Sequence, residues 1–181
     1  LEKAGFTVHT VNFPAGEANK TDATLHMLYD VLLSWGMTRG DAVVALGGGV
    51  VGDTAGYAAA TLFRGMDCIQ IPTSLMAQVD SSVGGKTGVD LPQGKNLLGA
   101  FHQPKAVLVD PACLDTLPQR EIRGGLAEVV KYGLLSDESI LDHLEQAQQP
   151  DYGFLLPACL SIKARLVVED ERDTGERRLL N

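Results

Sequence analysis

The residues of this chain best suited to chemistry lie in residues 46–96, where glycine-rich runs alternate with cations. The stretch opens LGGGVVGDTAGYAAATLFRG and continues, after a short apolar run, as IPTSLMAQVDSSVGGKTGVDLPQGKN. Glycine allows a backbone turn at positive φ and lets a ligand come close to peptide N–H groups. Arg64, Lys86 and Lys95 stand near these runs, so the pattern suits an anionic small molecule. Residues 47–52, GGGVVG, fit GxGxxG between an apolar run and a small-residue segment. In that setting a tight turn aims the first N–H groups of a helix at a pyrophosphate. One feature of the usual dinucleotide pattern is missing: no acidic residue ends the next apolar run, and Asp67 precedes it instead.

Further motifs carry charge. Residues 81–88, SSVGGKTG, look superficially like a phosphate loop, but Asp80 stands where GxxxxGK[ST] needs glycine. Gly-Gly-Lys-Thr still offers amides, an ammonium and a hydroxyl, and Gly94-Lys95-Asn96 adds a cation and an amide. The bland alternative for either piece alone is a flexible surface hairpin, and two such pieces close together weigh against it. In GGLAEVVKYG, residues 124–133, two adjacent glycines sit within a helical pattern, each at a cost of roughly 1 kcal/mol against alanine. Such a pair implies close approach by another backbone or a ligand. Glu128 and Lys131 are three apart and share a helix face. They read either as a surface ion pair or as a metal-binding carboxylate beside a substrate-binding cation. His9, His26, His102 and His143 show no metal-ligand spacing, and His102 and His143 read as surface residues. Lys163, Arg165, Arg177 and Arg178 read by default as solvated charges.

These residues need elements to hold them. Residues 21–35 predict a helix, with Thr21 as N-cap and Leu25, Leu28, Leu32 and Trp35 at helical spacing. Residues 42–46, 68–71 and 106–109 predict buried strands, and a small-residue helix should follow the glycine turn as far as Phe63. Strands alternating with helices predict a parallel sheet with right-handed crossovers. Beyond Pro118 the pattern becomes helical, with helices expected over 119–133, 137–148 and 154–170. The fold class is therefore α/β: a Rossmann-like parallel-sheet part over 1–117, then an incomplete helical part over 118–181. Both ends read as interrupted, so a longer protein is expected.

Bulk properties exclude other classes. Apolar residues make up 45% and charged residues 21% of the 181, as in an ordinary globular protein. A net charge of −8 argues against nucleic acid or an anionic membrane as partner. No apolar run approaches the ~20 residues of a membrane span. Cys68, Cys113 and Cys159 lack CxxC spacing and read as core residues of a protein in a reducing, cytoplasmic setting.

ALGGGVVGD, FRG, IPTSLMAQVDSSVGGKTGVDLPQGKNLLGAFHQP and GLAEVVKYG, in that order, resemble the 3-dehydroquinate synthase family over nearly the whole chain. The resemblance implies NAD, a zinc or cobalt ion and, at full length, a cytoplasmic homodimer. It implies cyclisation of 3-deoxy-D-arabino-heptulosonate 7-phosphate to 3-dehydroquinate with loss of phosphate, a step of the shikimate pathway. By that resemblance Glu17 and Lys20 are similar to contacts for the adenosine half of NAD. Gly48, Gly49, Val50 and Asp53 take the pyrophosphate turn. Thr73, Ser74 and Thr116 are further cofactor contacts, and Lys95 lies between cofactor and substrate. Arg64, Asp80, Lys86, Asn96, Lys131, Lys163, Arg177 and Asn181 are substrate contacts, and Glu128 is the carboxylate ligand of the metal.

The chain also departs from the pattern. The family's histidine metal ligands belong to segments beyond Asn181, and an earlier strand precedes Leu1. Asp173, grouped with the catalytic residues, stands where the family leads one to expect glutamate. The 181 residues alone are therefore expected to be inactive. Two alternatives stay open: another sugar-phosphate cyclase, or an NAD-binding but catalytically silent module.

Overall fold

In the computed structural model, which describes residues 1–181, three parallel strands form the sheet that carries the glycine turn. They are β1 (Ala42–Gly47), β2 (Asp67–Pro72) and β5 (Ala106–Val107), in the order β1-β2-β5. The β1–β2 register runs from Ala42 opposite Asp67 to Gly47 opposite Pro72, which puts both strand ends at one edge. The third strand is shorter than residues 106–109. The Leu108 amide still donates to Gln70 O at 2.9 Å, but Asp110 then accepts from the Ala112 amide at 3.0 Å and turns the chain.

Helix α1 (Asp22–Ser34) starts as its sequence dictates: the Thr21 hydroxyl accepts from the Thr24 amide at 3.2 Å. It buries Leu25, Leu28 and Leu32, and Gly36 leaves it at φ 71°. Helix α2 (Gly49–Thr61) is built of small residues because it is covered on two sides. A Cβ on Gly52 would fall 2.7 Å from the Gln70 side chain, and one on Gly56 2.6 Å from Thr87 Cγ2. The helix stops at Thr61, not at Phe63, whose φ of 50° is left-handed.

Residues 86–101 decide against the loop reading and for its alternative. They form an antiparallel hairpin of β3 (Lys86–Leu91) and β4 (Gly94–Phe101), which is not a free surface hairpin but is packed on α2. Alternation was hidden because Gly88 and Gly99 face each other in the ladder, where a Cβ on either would meet opposing backbone at 2.6 Å or less. Between β2 and the hairpin, a π-helical turn (Ala77–Ser81) carries Asp80. Such turns concentrate at functional sites.

The rest is helical, as expected: α3 (Gln119–Leu135), α4 (Ser139–Gln146) and α5 (Tyr152–Glu169), closed by a 3-10 segment (Glu176–Leu180). Their core of Val129, Tyr132, Ile140, Leu155 and Cys159 also takes in Leu75 and Val79, from the segment just after β2. Of the paired glycines, Gly125 lies against Leu75, where a Cβ would fall 2.7 Å from the Met76 backbone nitrogen, whereas Gly124 meets nothing within 4 Å. Cys68 and Cys159 are buried and Cys113 is half-buried; all three are free thiols. Burial pushes the Cys68 thiol up to about 11 and that of Cys159 up to about 12. No helix is long and apolar enough to cross a membrane.

Candidate functional site

The turn after β1 presents an N-terminus built for an anion. Gly48 caps α2 without a side-chain bond, and the amides of Gly49 and Val50 donate to nothing in the chain. These are the orphan donors that a helix start offers an anion, at the positive end of its dipole. The Thr73 amide donates to Gly47 O at 2.9 Å, which sets Ser74 beside the turn. A Cβ on Gly48 would lie 3.3 Å from Ser74 Oγ, and one on Gly49 3.1 Å from Ser81 Oγ. The turn is thus a cradle that any side chain would fill.

Lys20 and Asp53 form the flank of this cradle. Lys20 is 4% exposed, and its Nζ donates to Asp53 Oδ2 at 2.5 Å and to Asn96 Oδ1 at 2.6 Å. The ammonium is therefore a buried tie between α2, just after the glycine turn, and the hairpin. Burial raises the Asp53 carboxyl above its ordinary range, and the Lys20 charge opposes that shift. Asn96 holds φ 55°, a conformation asparagine tolerates, and its amide donates to Asp90 Oδ1 at 2.7 Å. Glu17 and Lys95 form an exposed ion pair at 3.0 Å.

Next to the turn opens a cavity of about 640 Å³. Four cations reach it from four elements: Lys86 from β3, Lys131 from α3, Lys163 from α5 and Arg177 from the closing 3-10 segment. Asp80 and Glu128 line it too, together with Asp53, Asn96 and Asn181. The default reading of Lys163 and Arg177 as solvated charges is overturned: they are 5% and 1% exposed. Arg165 and Arg178 are exposed, as that reading had it. Lys163 Nζ donates to Asp80 Oδ1 at 2.6 Å. Burial lowers its pKa, against the pull of the Asp80 charge, and neighbouring Arg177 and Lys86 lower it further.

Arg177 donates through its guanidinium to Gly84 O at 2.8 Å and Glu171 O at 2.7 Å. This explains Gly84, at φ 104°, whose Cβ would fall 2.2 Å from Arg177 Nη2. Lys86 Nζ meets Asp173 Oδ2 at 2.5 Å and Asn181 Oδ1 at 2.7 Å. Partial burial alone would raise the Asp173 carboxyl, but the bonds from Lys86 and Asn181 outweigh it and hold the group below its usual range. Lys131 pairs with Glu128 and donates to Leu180 O. The two, three residues apart, form the ion pair that one of the two sequence readings allowed, half-buried at the cavity wall.

Glu128 Oε2 is buried against the Lys131 ammonium, so a metal ion at this carboxylate would have to share it with Lys131 or displace that cation. Glu128 is a single ligand: no three His, Cys, Asp or Glu side chains converge on a metal position. The residues thus fit NAD at the turn, and fit a metal through one carboxylate.

Some candidates stand apart. Arg64 is exposed, in the left-handed turn after α2 at φ 65°, and does not line the cavity. Thr116 is also exposed and outside it. His102 and His143 join no metal-ligating cluster and are half-buried; His102 bonds Met66 O at 2.8 Å, and His143 packs on Phe154. Sequence reasoning missed Tyr132, whose hydroxyl lies 2.9 Å from Asp80 Oδ1, and Phe101, which sits under Arg172 and Arg177 at 5.7 and 6.0 Å. The helical spacing of Tyr132 from Glu128 was the signal for the first; nothing in the sequence marks the second.

A parallel sheet whose first strand ends in a glycine turn at a helix start, opening on a cationic cavity, defines a Rossmann-like α/β protein with an anion site at the carboxyl end of its strands. Comparison narrows this. Residues 10–124 match the family described as 3-dehydroquinate synthase N-terminal, and residues 125–181 the one described as 3-dehydroquinate synthase C-terminal. The chain belongs to the 3-dehydroquinate synthase family.

It is 51% identical over 190 residues to the 3-dehydroquinate synthase of a Synechococcus strain, and 52% identical over 188 residues to that of Geobacter sp. strain M21. Each alignment takes in 100% of this chain and 52% of the relative, so the chain spans about half the length of the curated relatives it matches. Among solved structures it resembles 2-epi-5-epi-valiolone synthase from Streptomyces hygroscopicus subsp. jinggangensis, with NAD+ and Zn2+ bound. The TM-score is 0.85 at 32% identity, over 93% of this chain and 49% of that one. It also resembles 2-deoxy-scyllo-inosose synthase complexed with carbaglucose-6-phosphate, NAD+ and Co2+. There the TM-score is 0.81 at 29% identity, over 95% of this chain and 49% of that one.

Proposed function

We propose that this chain is the cofactor-binding half, with part of the substrate site, of a cytoplasmic, homodimeric 3-dehydroquinate synthase. The full-length protein would cyclise 3-deoxy-D-arabino-heptulosonate 7-phosphate to 3-dehydroquinate with loss of phosphate. The observation that carries this reading is the cavity in which Lys86, Lys131, Lys163 and Arg177 converge beside the glycine turn. A chain of net charge −8 that gathers four cations at one cavity suits a substrate bearing a carboxylate and a phosphate. Identity of about half to curated synthases, against about a third to other cyclases of known structure, favours this sugar phosphate over its relatives' substrates.

Each residue then has work to do. The Gly49 and Val50 amides hold the cofactor pyrophosphate, with Gly48 giving room and Thr73 and Ser74 bordering it. Glu17 and Lys95, at the rim, contact the cofactor's outer half. NAD held there would supply reversible hydride acceptance at a ring hydroxyl carbon of the substrate. Glu128 would be one ligand of a zinc or cobalt ion, which supplies Lewis acidity at the hydroxyl being oxidised. Asp80 accepts a substrate hydroxyl proton in a hydrogen bond. Lys86, Asn96, Lys163 and Arg177 stabilise charge on the phosphate and on the enolate side of the elimination. Asp173 and Asn181 hold Lys86 until the substrate anion replaces them. Arg64 and Thr116, outside the cavity here, would act only in an assembly or at a length beyond this chain. We place the boundary between the two parts at 117/118.

The test is phosphate release from the heptulosonate phosphate, with NAD and zinc, by a protein of the full family length. Release that is lost with Lys86→Ala supports the reading. Release from another sugar phosphate only would assign a different cyclase, and NAD binding without any release would assign the silent module. The 181 residues alone are expected to release none.

A further inference from the structure

Tyr132 is a fully buried tyrosine whose polar end touches the cavity's own carboxylate. Its ring belongs to the core of the helical part, beside Val129, Ile140 and Cys159. Its hydroxyl lies 2.9 Å from Asp80 Oδ1 and 3.1 Å from Val79 O, and has one proton to give. A phenylalanine would fill the same apolar space, so packing does not explain the hydroxyl.

The geometry at Asp80 explains it better. Lys163 Nζ reaches the same oxygen, Oδ1, at 2.6 Å. Both protein donors therefore fall on one carboxylate oxygen, and Oδ2 has no hydrogen-bond partner in the chain, while Asp80 lines the cavity. Asp80 itself sits on the π-helical turn Ala77–Ser81, whose neighbouring residues Ala77, Gln78 and Val79 are buried while Asp80 faces the cavity. Tyr132 lies on the same helix as Glu128 and Lys131, one turn after Glu128, so α3 carries a cavity carboxylate, a cavity cation and this phenol together.

We infer that Tyr132 is a positioning residue: its hydroxyl and the Lys163 ammonium clamp Asp80 by Oδ1, so that Oδ2 is presented to a hydroxyl of the bound polyol phosphate. This rests on the reading of the cavity as a sugar-phosphate site. Burial, and then the adjacent Asp80 charge, push the phenol far above its ordinary range, so it remains a neutral donor at every working pH.

The experiment is a double-mutant cycle in the full-length, NAD-loaded protein. Tyr132→Phe, Asp80→Ala and the pair are compared by kcat/KM and by calorimetric titration with a non-reacting phosphonate analogue of the substrate. Tyr132→Phe alone should lower kcat/KM about 10-fold, the scale of one hydrogen bond to a charged group, and leave NAD affinity unchanged. On the Asp80→Ala background it should do nothing further. An equal loss on both backgrounds, or no loss in a folded Tyr132→Phe protein, overturns the clamp. A wild type that binds the analogue but turns nothing over would overturn the proposed function, while the calorimetric cycle still decides on Tyr132. A wild type that neither binds nor reacts overturns both.

Discussion

Replacing Lys20 by methionine should leave Asp53 as a lone, mostly buried carboxylate. The perturbation is mainly electrostatic, because methionine is an unbranched apolar chain that adapts to the space a lysine stem leaves. Lys20 is 4% exposed and bonds Asp53 at 2.5 Å and Asn96 at 2.6 Å. Removing one partner of a buried pair costs ~3–5 kcal/mol. The Asp53 side chain keeps 19% of its surface in water, which offsets part of that, so we expect ~2–3 kcal/mol. With a urea slope of about 2 kcal/mol per molar, the unfolding midpoint should fall by about 1–1.5 M.

The loss should depend on pH in a stated direction. Burial already raises the Asp53 carboxyl above 3.8, and the Lys20 charge holds the rise back. Without Lys20 the folded-state value climbs further above the unfolded one. A carboxyl shifted that way penalises folding only when ionised. The penalty is absent below the unfolded value, grows as pH rises through the interval between the two values, and is complete above it. Measured against wild type at each pH, the deficit should therefore be full near neutrality and shrink as pH falls toward about 4. A residue of ~1 kcal/mol, from the bond lost by Asn96, should remain throughout. Lys20→Met combined with Asp53→Asn should recover most of the neutral-pH loss. A deficit that is flat in pH, or a double variant no more stable than the single one, would refute the reasoning.

Three other outcomes follow from the same geometry. Gly124→Ala should stabilise the protein by up to ~1 kcal/mol, since its Cβ meets nothing and helix propensity improves, whereas Gly125→Ala should cost ~1–3 kcal/mol because backbone at Met76 stands in the way; paired urea titrations separate them. Gly49→Val should weaken NAD binding, read by calorimetry, with the fold intact by circular dichroism; unchanged affinity would remove the pyrophosphate from this turn. Burial lowers the Lys163 pKa, so its charge is lost at a lower pH than that of a free lysine, and inorganic phosphate binding at the cavity should fade on that alkaline limb; Lys163→Arg should extend the plateau.

What the sequence determined by itself was the local structure with a strong periodic or capping signal. Thr21 and the Leu25, Leu28 and Leu32 spacing sufficed for α1, and the GGGVVG run after an apolar strand sufficed for the turn and α2, because these depend on residues adjacent in the chain. The ordered motifs sufficed for the family. The β3–β4 hairpin was legible only as an alternative to loops, since facing glycines erase the alternation that marks a strand. Tertiary structure alone decided the ion pairs: Lys20 with Asp53 spans 33 positions, Lys163 with Asp80 83, and Lys86 with Asp173 87. It alone buried Lys163 and Arg177, which as isolated charges belong in water. Burying a charge is favourable only where folding brings a partner to it, and such partners come from other elements, at distances along the chain that no local pattern encodes.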